Sequence, residues 1–185
     1  MQKYYELSPQ VYDDQFWWKK NDLLFWDNEF CKLSGQSVLE LAAGTGRIGN
    51  VLIEKCQYVG LELSSQYVKY ANDKLSETEH PYFIQGDMRF FSLDEVFNYI
   101  FIGFNSLLHL LSEKDISQCL ESIKNHMNEN SIFYIDVFSP HHHHFAFAEE
   151  QHEIVEFFDS DEKCQSTIIE NIKYDSQLEI VDVKW

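Results

Sequence analysis

Short apolar runs alternate with stretches of helical spacing along most of the chain. Val38 to Leu41 leads into Arg47 to Lys55, and Tyr58 to Leu61 into Ser64 to Leu75. Tyr82 to Ile84 is followed by a loop, Tyr99 to Phe104 leads after a turn into Glu113 to Met127, and Ile132 to Val137 is a fifth run. Ser64 and Ser112 stand where helix N-caps are needed. Strands that alternate with helices pair in parallel, because the helix is the crossover that returns the chain to the same end of the sheet. The alternation therefore predicts an α/β fold with its helices packed on a parallel sheet.

Both ends of the chain depart from this rhythm. Ser8 to Leu33 reads as helical, with Ser8 as cap and Pro9 at the first helical position, and its aromatic residues suit a helix lying over a pocket or core. After Pro140 come three β-like runs, QHEIVEFF, STIIENIKY and LEIVDVKW, separated by the acidic turns DSDEK and DSQ. Connections this short make antiparallel neighbours, a meander appended to the parallel sheet. The expected organisation is a core over residues 1–140, carrying an N-terminal helical lid, with 141–185 as an antiparallel extension of the same domain. Acids far outnumber Lys163, Lys173 and Lys184 in that extension, as on a solvated sheet face, and Trp185 falls inside its last strand-like run.

The turn after the first run, Gly44-Thr45-Gly46-Arg47-Ile48-Gly49, satisfies G-x-G-x-x-G. Glycines between a strand and a helix let the backbone approach a ligand closely and offer it amide N–H groups. In a dinucleotide fold those amides meet a pyrophosphate. Glu40, however, sits four residues before Gly44. A carboxylate there repels pyrophosphate and suits a cationic amino acid end, although one Glu alone could equally cap the neighbouring helix. Glu62 closes the next strand, where a single carboxylate can accept from both hydroxyls of a ribose in either cofactor class. Gly86-Asp87-Met88 follow the third strand. Asp87 can accept from an adenine amino group while a following amide donates to the ring; taken alone it reads as a turn cap. Three acids at three successive strand ends form a constellation, and ligands of open α/β sheets collect at those ends.

Charge narrows the partners. A net charge of -17 repels nucleic acid phosphates and anionic membrane surfaces. The four cysteines, Cys31, Cys56, Cys119 and Cys164, form no C-x-x-C pair, and neither a secretory leader nor a membrane-length apolar run is present. A reduced, cytoplasmic setting is the simplest expectation.

LELAAGTGRIG, GLELS, QGDMRFFSL, FNSLLHLL and FYIDVFSP, in that order, resemble class I S-adenosylmethionine-dependent methyltransferases, most of all the small-molecule branch that includes sugar-amine and glycine-type N-methyltransferases. The resemblance runs from about Tyr12 to Trp185. It implies a Rossmann-like sheet of order 3-2-1-4-5, helices on both faces, and S-adenosyl-L-methionine as cofactor. By resemblance Glu40, Ala42, Gly44 and Gly46 line the methionine part with Arg47 flanking it, Glu62 and Leu63 hold the ribose, and Asp87 and Met88 the adenine. Tyr12 matches a tyrosine that closes over the cofactor's amino acid end. Relatives of this kind continue with a last helix and two closing strands, which are absent here, so strand five is expected to need a cover and a homodimer is expected to supply it.

Methyl transfer from a sulfonium requires alignment and exclusion of water more than acid–base help. The acceptor pocket is expected where strand four ends, at Phe104-Asn105-Ser106-Leu107-Leu108-His109, with Asn105 counted among the cofactor contacts. His109 reads either as an acceptor-binding or proton-accepting group, as a histidine at the matching place in the sugar-amine enzymes implies, or as a histidine packed at a helix start. Tyr12, Phe16, Trp17 and Trp18 can wall a lid, although such residues at helical spacing more often form core. The run His141 to His144 invites a metal, but adjacent side chains diverge and no companion ligand spacing exists, so a solvated loop and no metal are expected. The function expected is methylation of nitrogen or oxygen on a small polar molecule. The alternatives are a subunit that binds the cofactor or its product without turnover and, against Glu40, a nicotinamide-dependent oxidoreductase.

Overall fold

The computed structural model describes residues 7–32, 34–75, 82–138, 149–178 and 180–184. The N-terminal segment expected as one helix forms two, α1 (Pro9–Gln15) and α2 (Asn21–Phe30). The break falls after a run of aromatics, whose helix propensity is below that of straight-chain residues. The Lys19 carbonyl there accepts from Arg47 Nη1 at 2.9 Å rather than from a helical amide.

Next comes β1 (Ser37–Leu41), which is buried along its whole length. A continuous apolar run cannot alternate between core and solvent, so such a strand must be covered on both faces. The chain continues through α3 (Gly49–Leu52), β2 (Gln57–Glu62), α4 (Ser65–Asp73), β3 (Phe83–Gln85), β4 (Tyr99–Ile102), a 3₁₀ turn over Ser106–His109, α5 (Glu113–Asn125) and β5 (Ile132–Ile135). All pairings among these five strands are parallel, and their order is β3-β2-β1-β4-β5, as the resemblance implied. Val38 and Phe101 pack with Trp26, Phe30, Leu52 and Ala71 on one face of the sheet. Leu39, Leu41, Ile100 and Ile102 pack with Cys119 and Ile123 on the other. Helices α2, α3 and α4 thus cover one face and α5 the other. Two of the three expected caps, Ser64 and Ser112, are seen: the Ser64 hydroxyl accepts from the Tyr67 amide at 3.4 Å, and that of Ser112 from the Asp115 amide at 3.0 Å.

The C-terminal runs form β6 (Glu149–Asp159), β7 (Cys164–Asp175) and β8 (Ile180–Lys184), antiparallel neighbours in a three-stranded sheet of their own. The acids of the two turns fold them: Asp159 Oδ1 accepts the amides of Asp161 and Glu162, and Asp175 Oδ1 those of Gln177 and Leu178. Two compact units result, Met1–Pro9 with Lys19–Val137, and Gln10–Trp18 with Phe138–Trp185. Helix α1 therefore groups with the second sheet, held by Trp17 Nε1 donating to the Glu156 carbonyl at 3.3 Å and the Ser160 amide donating to Asp14 at 2.9 Å. The histidine run and Trp185 lie outside the described residues. No described helix is long and apolar enough to cross a membrane.

Candidate active site

The turns after β1, β2, β3 and β4 each have a backbone amide held by an acid. After β1 the chain passes through Ala42, Gly44 and Gly46, all with positive φ (57°, 59° and 81°). The loop closes on itself through the Gly46 amide donating to the Ala43 carbonyl at 3.0 Å. A Cβ built on Gly44 would meet nothing within 4 Å, so the backbone here borders open space. One built on Gly46 would lie 2.6 Å from the Phe83 ring. The first glycine opens the loop to a ligand and the second lets it lie down on the core.

Glu62, 2% exposed, is bound to this loop directly. Its Oε2 accepts the Gly44 amide at 2.9 Å and its Oε1 accepts the Ser64 amide at 2.8 Å. A carboxylate offers about four acceptor sites, enough to take hydroxyl donors as well as amides. Leu63 beside it is half-buried, its carbonyl accepting from Gln85 at 3.2 Å.

Glu40 lies 3% exposed beneath the loop. Its carboxyl accepts from the Tyr58 hydroxyl and from the Gly49 amide at the start of α3, so it makes the helix cap that a lone Glu could make. Burial pushes its pKa up to about 8, against the Tyr58 hydrogen bond and the charge of Arg47, which favour ionisation; Glu62 reinforces the rise. Arg47 is held by α2, its two Nη atoms donating to Asp22 at 3.1 and 2.5 Å. Burial opposes ionisation of Asp22, yet the guanidinium outweighs it and holds that carboxyl below its ordinary range. Arg47 also lies 4.7 Å from the Phe104 ring centroid.

After β3, Asp87 and Met88 are half-buried. Asp87 is engaged by its neighbour: Arg89 Nε reaches Oδ1 at 3.0 Å and Nη2 reaches Oδ2 at 2.6 Å, while Arg89 Nη1 bridges to Asp115 on α5 at 2.7 Å. Those hydrogen bonds hold the Asp87 pKa below its ordinary value, and they leave it little spare acceptor capacity.

Strand β4 stops at Ile102, short of the expected Phe104, because Phe104 and Asn105 both adopt the left-handed conformation (φ 51° and 62°). Asp136 at the end of β5 holds them there. Its Oδ2 accepts the Phe104 amide and its carbonyl the Asn105 amide, each at 3.1 Å. Consecutive non-glycine residues in that region store strain of the kind concentrated at functional sites. His109 ends the 3₁₀ turn that follows; although much of the residue is exposed, protein packed about the imidazole desolvates it and lowers its pKa below 6.5, with Glu62 opposing.

The first unit thus brings Glu40, Ala42, Gly44, Gly46, Arg47, Glu62, Leu63, Asp87, Met88, Asn105 and His109 to the ends of its strands. Tyr12 belongs to the second unit, its ring 4.8 Å from that of Phe16. The sequence reading passed over Tyr58, Arg89 and Asp136. Arg89 and Asp136 sit inside QGDMRFFSL and FYIDVFSP and carried a charge worth pairing, whereas nothing marked Tyr58 apart from its apolar strand. No cluster of three or more His, Cys, Asp or Glu residues suited to a metal occurs among the described residues. A phosphate-free, cationic nucleoside fits this donor set: Gly44 borders open space, its amide is taken by the Glu62 carboxylate, and Arg47 is paired with Asp22.

A family model described as a methyltransferase domain matches residues 38–130. YqeM of Bacillus subtilis (strain 168), named provisionally as a methyltransferase, is 32% identical over 104 residues, which are 55% of this chain and 42% of that protein's length. The sugar N-methyltransferase KedS8 from Streptoalloteichus sp ATCC 53650 superposes with a TM-score of 0.60 at 19% identity, covering 94% of this chain and 76% of that one. The glycopeptide N-methyltransferase MtfA, solved with S-adenosyl-L-methionine, superposes at 0.58 with 23% identity over 80% of this chain and 70% of its own.

Proposed function

The chain belongs to the methyltransferase-domain family, and from that premise we propose that it transfers a methyl group from S-adenosyl-L-methionine to a nitrogen or oxygen of a small polar acceptor. The observation that carries this reading is the loop at Gly44, open on one side and tied on the other to a buried carboxylate, Glu62. When bound, S-adenosyl-L-methionine supplies an electrophilic methyl on a sulfonium, which leaves as a neutral thioether.

The residues of the chain bind, orient and keep water out. Gly44 and Gly46 shape the backbone against the methionine part, with Ala42 and Arg47 at its border. Glu62, fixed by the Gly44 and Ser64 amides, is the carboxylate placed to accept from the ribose hydroxyls. Asp87 and Met88 border the adenine; the Arg89 fork fixes the Asp87 turn, so the adenine is met through the half-buried Met88 and the turn's backbone as well as through the carboxylate. Phe104 and Asn105, pinned by Asp136, set the direction of the turn that carries His109. A histidine kept neutral by desolvation takes up the proton that an ammonium must lose before its nitrogen can attack, or that a hydroxyl loses as its oxygen does. Amines are the first acceptors to test, since the neighbours named above are N-methyltransferases. Net charge argues against nucleic acid acceptors.

Calorimetry with S-adenosyl-L-methionine, S-adenosyl-L-homocysteine and NAD tests the binding half of the proposal. The first two are expected to bind and NAD is not; the reverse result overturns it. Single-turnover release of S-adenosyl-L-homocysteine with a panel of sugar amines and simple amines tests the transfer half. Cofactor binding without any such release favours a binding subunit instead.

A further inference from the structure

We infer that Tyr58 is a positioning residue for the cofactor, holding Glu40 under the glycine-bearing loop and thereby tying cofactor affinity to the proton on that carboxyl. The inference rests on the cofactor reading above and adds to it a residue from the middle of a buried strand.

The hydroxyl of Tyr58 is placed by two backbones. A Cβ on Gly49 would come within 2.5 Å of Tyr58 Oη, and one on Gly60 within 2.8 Å, so both positions leave room only while they stay glycine. The ring is fixed edge-on against Phe83, centroids 5.6 Å apart. With the ring so confined, the hydroxyl has one carboxyl in reach, that of Glu40, and donates to it. Burial raises the Tyr58 pKa well above 10, so it remains a donor throughout the range in which Glu40 titrates.

The loop is consequently anchored at both ends by acids: Glu62 takes the amide of Gly44, and Glu40 takes that of Gly49. Glu40, 3% exposed, exchanges its proton near pH 8. Four groups face it and decide its state. Tyr58 from β2, the Gly49 amide from α3 and Arg47 from the loop favour the carboxylate, while Glu62 at the tip of β2 favours the neutral acid. The other members of that core cluster, Trp26, Phe30, Ile48 and Phe83 among them, are apolar and add only desolvation. A cationic ligand seated on the loop stabilises the carboxylate beneath it, so by linkage its binding strengthens as the proton leaves. Removing the Tyr58 donor makes the carboxylate harder to form and weakens the ligand's hold.

The test is calorimetric binding of S-adenosyl-L-methionine and S-adenosyl-L-homocysteine from pH ~6 to ~9 to the full chain, to Tyr58→Phe and to Glu40→Gln. Tyr58→Phe keeps the ring and its packing and deletes only the hydroxyl. Affinity of the wild-type chain for the sulfonium compound is expected to rise toward pH ~8 relative to Glu40→Gln, whose profile lacks this titration. Any titration of the free ligand is common to all three proteins and cancels in the ratio. In Tyr58→Phe the rise is expected about one pH unit higher, the scale of one lost hydrogen bond to a charged group, with binding near neutral pH about three- to tenfold weaker. S-adenosyl-L-homocysteine, which lacks the sulfonium charge, is expected to show a smaller pH effect. Tyr58→Phe with wild-type affinity and profile overturns the proposal, as does a wild-type profile parallel to that of Glu40→Gln. The second comparison stands even if Tyr58→Phe does not fold. A wild-type chain that binds neither compound at any pH overturns the cofactor reading and the proposal with it, an outcome distinct from intact binding that is indifferent to Tyr58.

Discussion

A carboxyl that keeps its proton in the folded chain and loses it on unfolding makes stability depend on pH, and Glu40 is the group to test. The perturbation is Glu40→Gln, which removes the titration at nearly constant volume. In the folded chain Glu40 holds its proton up to about 8, whereas the ordinary value for the exposed side chain is 4.5. Between those limits the unfolded state binds fewer protons than the native state, so stability contributed by the neutral acid is complete below pH 4.5 and is lost as pH rises to about 8. That interval, at about 1.4 kcal/mol per pH unit, corresponds to a ceiling of about 5 kcal/mol. Relaxation of the native state around the new charge lowers it, and at least about 2 kcal/mol is expected. The assay is urea unfolding of both proteins at pH about 5, about 6.5 and about 8, taking the difference between variant and wild type at each. The amide that Glu40→Gln introduces adds a constant offset, and every other titrating group is common to both chains, so only the change in that difference with pH counts. The variant should gain on the wild type steadily from the lowest to the highest pH. A difference that stays flat would refute the reasoning, because it would mean that Glu40 is already ionised in the folded chain throughout this range.

Three further outcomes are expected. The acid limb of kcat/KM should lie below pH 6.5 if His109 is the group that takes up the proton, because its desolvated imidazole resists protonation; a limb centred above 7 that disappears in His109→Ala would contradict this. Asp136→Ala, which removes the side-chain acceptor of the strained Phe104 amide, should lower kcat/KM for the acceptor by about tenfold or more, and unaltered kinetics would dismiss the Asp136 carboxylate as a positioning group. Strand β5 has a ladder partner on one side only among the described residues, and Ile132 and Ile135 on it are 45% and 43% exposed. A homodimer covering that edge should appear in light scattering at micromolar concentration, and a particle with the mass of one chain throughout would remove it.

The parallel sheet was legible because its signal is local and repeated. Each apolar run is followed by its crossover, and Ser64 and Ser112 announce their helices through caps that the structure makes. The strand ends were less legible. β4 was read two residues too long, since Phe104 looks like a strand residue and only the distant Asp136 holds it in the left-handed region. The N-terminal helix was read as continuous because its interruption depends on Arg47 capturing the Lys19 carbonyl, a contact made 28 residues away in the chain. The meander was correctly antiparallel, but whether it extends the first sheet or stands alone is settled by ladder partners that no local pattern encodes. In the site, the spacing of the acids marked where Glu40, Glu62 and Asp87 stand, because strand ends place them. It did not mark what they hold. Glu40 turns inward to Tyr58 and Asp87 is shared with Arg89, and both partners are chosen by side-chain geometry.

The same geometry explains why a chain with a G-x-G-x-x-G turn is poorly suited to a dinucleotide. Such a loop attracts a pyrophosphate through unpaired amides and the positive end of the following helix. Here the Gly44 amide already donates to the Glu62 carboxylate, the Gly49 amide to Glu40, and α3 is only four residues long. A pyrophosphate would have to displace one buried acid and lie close to another, with Arg47 already neutralised by Asp22. Leaving a buried carboxylate unpaired costs several kcal/mol. A nucleoside whose amino acid end is cationic requires no such displacement, and its ribose hydroxyls are donors, which a carboxylate such as Glu62 accepts. The glycines open the turn, but the acids bound to its amides decide the sign of the charge it accepts.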